Sequence, residues 1–174
     1  HNNVKSWKYL NIDEKTKPDY HCDLNTIPLR DNSIDTIIMM EVLEYIPNPE
    51  KAFAEIYRVL NYEGHIIFSF PFLSPMHGDY WLDRARYTPV MIEEMVLPLG
   101  YKIILIESMG SVGSVIYDII RASFGYASKK GYKLLFSKVL VFISPLFRFI
   151  DYISKTQKKY INTGYFVTLK KERT

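Results

Sequence analysis

Residues 23–72 read DLNTIPLRDNSIDTIIMMEVLEYIPNPEKAFAEIYRVLNYEGHIIFSFPF, and their pattern decides the fold class. Residues 28–35 hold the turn formers Asp31, Asn32 and Ser33. Ile34–Met40 is a nearly continuous apolar run, too short for a free-standing helix and rich in Ile, which predicts a strand buried on both faces. Asn48 is a good N-cap, Pro49 a good first helical residue, and Glu50 complements the helix dipole. Phe53, Ile56, Tyr57 and Leu60 recur at helical spacing, so an amphipathic helix is predicted to about Leu60. Residues 61–64 predict its stop, and residues 65–70 (HIIFSF) a second buried strand. Strands alternating with a helix imply βαβ units, a parallel sheet and right-handed crossovers.

Upstream, residues 7–12 (WKYLNI) form a short strand candidate ending at Asp13. A carboxylate just past a strand end suits a ribose diol, and equally a solvated turn. Residues 20–23 form a second very short candidate, with Asp23 at its end and Leu24 following. Ligands of open α/β sheets bind outside the carboxyl ends of the strands, which sets Met39, Met40, Glu41 and Val42 beside a ligand.

Downstream, residues 71–87 lack a clear period and hold His77, Asp79, Tyr80, Trp81, Asp83, Arg84, Arg86 and Tyr87. Long loops after parallel strands commonly carry function. Thr88 and Pro89 open a helix to about Leu97, and residues 101–107 (YKIILIE) read as a strand. Residues 111–124 predict a helix, and residues 132–153 are apolar on nearly all sides. Residues 160–170 predict a last strand with a break at Gly164.

The chain has 174 residues, 48% apolar and 24% charged, as expected of one globular domain, 1–174. A net charge of +3 gives no argument for nucleic acid. One cysteine, Cys22, can form neither a disulfide framework nor a cysteine zinc site, so a reducing, cytoplasmic setting is expected. Residues 1–9 carry no secretory pattern.

The ordered set Asp23-Leu24, IPLRDNSIDTIIMMEVLEYIPNPEKAFAEIYRVL, HIIFSFPF, PFLSPMHGDYW and RYTPVMIEEMVLPLGYKI resembles the class I S-adenosylmethionine-dependent methyltransferases of the type 11 group. The proline-rich loop, His77, Asp79-Tyr80-Trp81 and Arg86-Tyr87-Thr88-Pro89 look like a branch found near bacterial surface-polysaccharide genes. The resemblance covers about residues 9–107 and the last strand. It implies a Rossmann-like, doubly wound, mostly parallel sheet with an antiparallel last strand and a helical insertion at 111–159. It implies methyl transfer from S-adenosylmethionine to a small-molecule or saccharide acceptor. By resemblance, Asp13 matches the acid that holds the ribose, Asp23 the acceptor of the adenine amino group, and Leu24 the neighbouring backbone contact. Met40 and Glu41 match positions lining the methionine part of the cofactor.

Three departures stand out. No glycine occurs before Gly64, so the glycine-rich turn that cradles the cofactor is not among these residues. An N-terminally truncated fold is therefore expected, or a partner that completes it. Tyr45 stands where relatives often have His. The segment from Asp79-Tyr80-Trp81 to Arg86-Tyr87-Thr88 is longer than usual.

Methyl transfer needs positioning, and a general base when the acceptor is a hydroxyl. His77 is the candidate base, since an imidazole can take a proton near neutral pH. Asp79 is the candidate that orients it or binds substrate. Arg84 and Arg86 are candidates for an acidic sugar or phosphate, with a structural ion pair as the alternative. Tyr80, Trp81 and Tyr87 are candidate substrate contacts, the first two for stacking on a sugar or for packing in the core. No His/Asp/Glu cluster has metal-ligand spacing, and no metal is expected. Residues 132–153 have the length of a membrane span, but Lys133, Lys138, Arg148 and Asp151 interrupt them and Ser144-Pro145 is expected to break or kink the helix. A buried insertion, an interfacial helix with peripheral membrane contact, a helical cap over the active site, and a homodimer interface are the readings kept open.

Overall fold

The computed structural model describes residues 4–78, 81–124 and 131–173. In chain order these form β1 (Leu10–Asn11), β2 (Tyr20–His21), β3 (Ile34–Met40), α1 (Pro49–Val59), β4 (Leu60–Pro71), α2 (Pro89–Val96), β5 (Tyr101–Met109), α3 (Val112–Ser123), α4 (Gly131–Ile153) and β6 (Gly164–Lys171). Strands β1 and β2 pair in parallel as a small ribbon. The main sheet has the order β3-β4-β6-β5, with β3 parallel to β4 and β6 antiparallel to both neighbours. This is the expected Rossmann-like arrangement, with the antiparallel last strand seated beside β5.

The helices begin where the sequence signals them. The Asn48 side chain accepts the Lys51 backbone N–H at 3.1 Å, and the Thr88 hydroxyl accepts that of Met91 at 3.3 Å. Caps of this kind contribute about 1 kcal/mol each. Phe53 and Ile56 of α1 pack over Phe68 and Phe70 of β4 and Val167 and Leu169 of β6, all buried. Burying such side chains stabilises the fold by roughly 1.5–3 kcal/mol apiece. Arg58 ties α1 to the loop ahead of β3, donating to the carbonyls of Leu29 and Ile27 and pairing with Asp31 and Glu55.

Four expectations change. First, β3 is not buried on both faces: Ile38 is 47% and Met40 42% exposed, while Met39 is buried against the α1 side. Met39 shares the inward row with Phe68, Val167 and Ile106; Ile38 shares the outward row with Ile67, Thr168 and Leu105. The outward row has no covering helix among the described residues. Second, residues 61–64 do not end a helix ahead of a strand. β4 starts at Leu60, directly after α1, and the register against β3 shifts there. Glu63 takes a φ of 67°, and a Cβ on Gly64 would lie 2.7 Å from the Asn61 carbonyl oxygen, so glycine is required at this bulge. Third, the strand candidates at 7–12 and 20–23 shrink to two residues each. Fourth, α4 continues through Pro145, so of the break or kink expected there the break does not occur. The carbonyl that proline leaves without a partner belongs to Val141, which is exposed, so water can satisfy it.

Helices α3 and α4 pack on each other between β5 and β6. No helix among the described residues is long and apolar enough to cross a membrane.

Candidate active site

The site forms past the carboxyl ends of β3 and β4. Glu41 follows β3 with a φ of 52°, a left-handed conformation uncommon outside glycine. It is held there by Ser69 of β4. The Glu41 backbone N–H donates to the Ser69 carbonyl at 3.1 Å, and the Ser69 hydroxyl donates to Glu41 Oε1 at 2.6 Å. The register that sets Met40 opposite Ser69 makes this possible.

A 3-10 turn, Leu43–Tyr45, then carries Glu44 inward. Glu44 has 0% exposed surface, and neither of its carboxylate oxygens accepts a hydrogen bond among the described residues. Its Oε1 lies 3.2 Å from His77 Nε2, close but off the hydrogen-bonding direction. Burial pushes the Glu44 carboxyl up to about 7, with the charge of Glu41 adding and His77 opposing. His77, whose side chain is 28% exposed, turns Nδ1 toward Asp83 Oδ2 at 4.0 Å. Asp83 is itself buried and forked by Arg86, whose second guanidinium nitrogen donates at 2.9 Å. That hydrogen-bonded pairing with Arg86 holds the Asp83 carboxyl below its usual range.

Tyr45 fixes the loop from its other side. Its hydroxyl donates to the His77 carbonyl at 3.0 Å, and its ring meets the imidazole edge-on. The Tyr45 hydroxyl also lies 2.8 Å from where a Cβ on Gly78 would stand, and Gly78 has a φ of 59°, so this turn demands glycine. The result is one accessible imidazole set between two buried acids.

The other expected site residues fall as follows. Asp79 and Tyr80 lie outside the described residues. Asp83, which sequence reading treated only as a loop acid, stands beside His77. Arg86 forms the ion pair with Asp83, the structural alternative named above. Arg84 donates its backbone N–H to the Glu44 carbonyl at 2.9 Å and lines a cleft of about 630 Å³ with Phe72, Met76, Asp83, Val115 and Ile119. Trp81 is exposed. Tyr87 is buried and packs edge-on against Phe70. Asp13 is exposed and accepts the Lys15 backbone N–H at 2.9 Å; Asp23 is half-buried and accepts from Asn25 at 2.7 Å. Leu24 packs against the core, and Met40 is exposed at the end of β3.

Sequence spacing gave no metal-ligand set, yet the donor atoms of Glu41, Glu44 and His77 lie within 4.8 Å of one another. His77 is remote from the two acids in sequence, so only the fold shows the juxtaposition. Glu44 was missed altogether. Its one signal was an acid inside an otherwise apolar VLEYI run.

A family model described as a methyltransferase domain matches residues 2–68, which span β1 to β4 and bring in Asp13, Asp23, Glu41 and Glu44. The match spans residues 2–68 of the 174, so the methyltransferase likeness is one of that segment. Solved structures carry the fold assignment for the rest of the chain. A SAM-dependent methyltransferase from Archaeoglobus fulgidus superimposes with a TM-score of 0.56 at 14% identity, covering 93% of this chain and 74% of that one. The [4+2]-cyclase SpnF gives 0.53 at 18% identity, covering 88% of this chain and 55% of that one. Phosphoethanolamine N-methyltransferase 2 from Haemonchus contortus, solved with S-adenosyl-L-methionine, gives 0.51 at 17% identity, covering 87% and 36%. The chain thus spans between half and two thirds of the length of the first of these relatives. No curated protein sequence matches it. A cyclase among the neighbours shows that the fold alone does not name the reaction.

Proposed function

We propose that the chain carries the acceptor side of an S-adenosylmethionine-dependent methyl transfer to a hydroxyl of a small-molecule or saccharide acceptor, in the cytoplasm and in cell-surface polysaccharide biosynthesis. One observation carries the reading: the accessible His77 imidazole, set between buried Glu44 and Asp83 just past the strands where α/β sheets bind ligands. Asp13, Asp23 and Glu41 each follow the carboxyl end of a parallel strand. Asp13 and Asp23 each have one oxygen on a local N–H, and a carboxylate has further lone pairs for a diol or an amino group. They fit the ribose and adenine of the cofactor, with Leu24 beside the adenine and Met40 and Glu41 beside its methionine. The cofactor, when bound, supplies a methyl group activated on a sulfonium.

The remaining roles belong to this chain. His77 takes the proton from the acceptor hydroxyl. Glu44 titrates near the pH at which that transfer occurs and steadies the charged imidazole. Asp83, locked by Arg86, is a positioning residue that fixes the ring from the Nδ1 side. Trp81 offers an exposed ring for stacking on a sugar, and Arg84 a cation at the cleft for an acidic group. Asp79 and Tyr80 act with them, and Tyr87 supports the loop from behind. Transfer of labelled methyl from S-adenosylmethionine to a hydroxyl-bearing saccharide, lost in His77→Ala, tests the reading.

A second reading is supported by the row Ile38, Met40 and Leu105, which no helix among the described residues covers. In it the chain keeps the fold and takes the cofactor only together with a partner subunit.

A further inference from the structure

We propose that the outward face of α4 docks on the surface of an anionic lipid bilayer. The inward face is committed to α3. Leu140 and Phe147 are buried there, and Tyr117 packs edge-on against the Phe147 ring at 5.4 Å. Asp151 accepts the Ser114 backbone N–H at 3.0 Å and the Ser114 hydroxyl as well. Gly113 sits so close to Phe147 that a Cβ would run into its carbonyl oxygen. These contacts fix the rotation of α4 and leave the opposite stripe outward.

That stripe is apolar. Phe142, Leu146, Phe149 and Ile153 recur at helical spacing and are all exposed, Phe142 at 84%, with Tyr152 beside them at 70%. An apolar stripe of this size marks an interaction surface. Charge chooses the occupant. Residues 111–160 hold nine Lys or Arg and two Asp, a net +7, so the rest of a chain of net +3 carries −4. Among the described side chains Lys138, Arg148, Lys155 and Lys159 are exposed while Asp118 and Asp151 are half-buried, Asp151 against α3, so the described outward surface is basic as well as apolar. Lys155 lies 5.6 Å from the Tyr152 ring and Lys159 4.9 Å from the Tyr160 ring. Tyrosine with lysine is the pairing favoured at the level of lipid headgroups. A second copy of the chain would bring two such basic faces together. A helix lying in the plane of an anionic surface satisfies both the apolar stripe and the charge.

The test is co-sedimentation of the chain with vesicles of phosphatidylcholine alone and of phosphatidylcholine containing phosphatidylglycerol. Binding is expected to the second kind, roughly tenfold stronger than to the first, and to fall with added salt. Lys155→Glu with Lys159→Glu should weaken it by roughly fivefold or more for each charge lost. Phe142→Ser with Phe149→Ser should abolish it with an unchanged circular dichroism spectrum, because both side chains are exposed. No pelleting with the anionic vesicles, or pelleting that the serine variant retains, overturns the proposal. So does a wild-type dimer in light scattering that the serine variant dissociates, which would show that a second copy covers the face.

Discussion

His77 holds its Nε2 3.2 Å from Glu44 Oε1, an oxygen on a side chain with no exposed surface. A buried acid whose oxygens accept no hydrogen bond among the described residues is costly when ionised, and this one stands beside a reachable imidazole.

The pH dependence of stability follows from the direction of the Glu44 shift. Burial raises its carboxyl from 4.5 to about 7, so the native state holds this proton more tightly than the unfolded chain. The contribution of Glu44 is most favourable at low pH and declines as pH rises through the interval between those values. Glu44→Gln should flatten that decline and stabilise the protein above neutrality, by at most about 3 kcal/mol. Denaturant unfolding of both proteins at acidic and alkaline pH checks this; parallel pH profiles would rule it out.

Removing the imidazole should act on turnover. His77→Ala is expected to lower kcat by roughly 10²–10⁴-fold with little change in KM for the acceptor. Asp83→Asn should lower it less and shift the pH profile, as expected of a group proposed to position the ring without touching the acceptor. Equal losses in kcat with an unmoved pH profile would show that both residues merely hold the loop.

Chelation separates the base from a cation. The donors of Glu41, Glu44 and His77 lie within 4.8 Å of one another, and Glu41 is already occupied by the Ser69 hydroxyl. With His77 as the base, methyl transfer should be unchanged after dialysis against EDTA. Activity lost there and restored by Mn²⁺ would replace the base with a metal site.

The α3–α4 hairpin depends on one close approach. Gly113→Val places carbon against the Phe147 backbone, and a destabilisation of about 1–3 kcal/mol is expected, as for other overpacked contacts. Hydrogen exchange should show α4 losing protection first while β4 and β6 keep theirs. Uniform loss across the sheet would contradict a hairpin that packs chiefly on itself.

What the sequence made legible was local or periodic. Asn48 and Thr88 announced their helices, and Ile34–Met40 and residues 65–70 their strands. The antiparallel seat of β6 came from resemblance and held. The exposure of Ile38 and Met40 was not legible, because apolar composition says what a strand could bury and not what covers it. The 61–64 bulge read as a stop, since turn residues serve both. His77 was singled out through its loop, while Glu44 and Asp83 were not, because their approach to it arises only when the turn at Leu43–Tyr45 meets the loop after β4.

The most direct test of the central claim is calorimetric titration of S-adenosylhomocysteine into the chain. The account predicts binding with a rise in melting temperature, weakened by Asp23→Asn and by Glu41→Gln. Absence of both heat and thermal shift would contradict it for this chain and leave the reading in which the cofactor is taken only together with a partner.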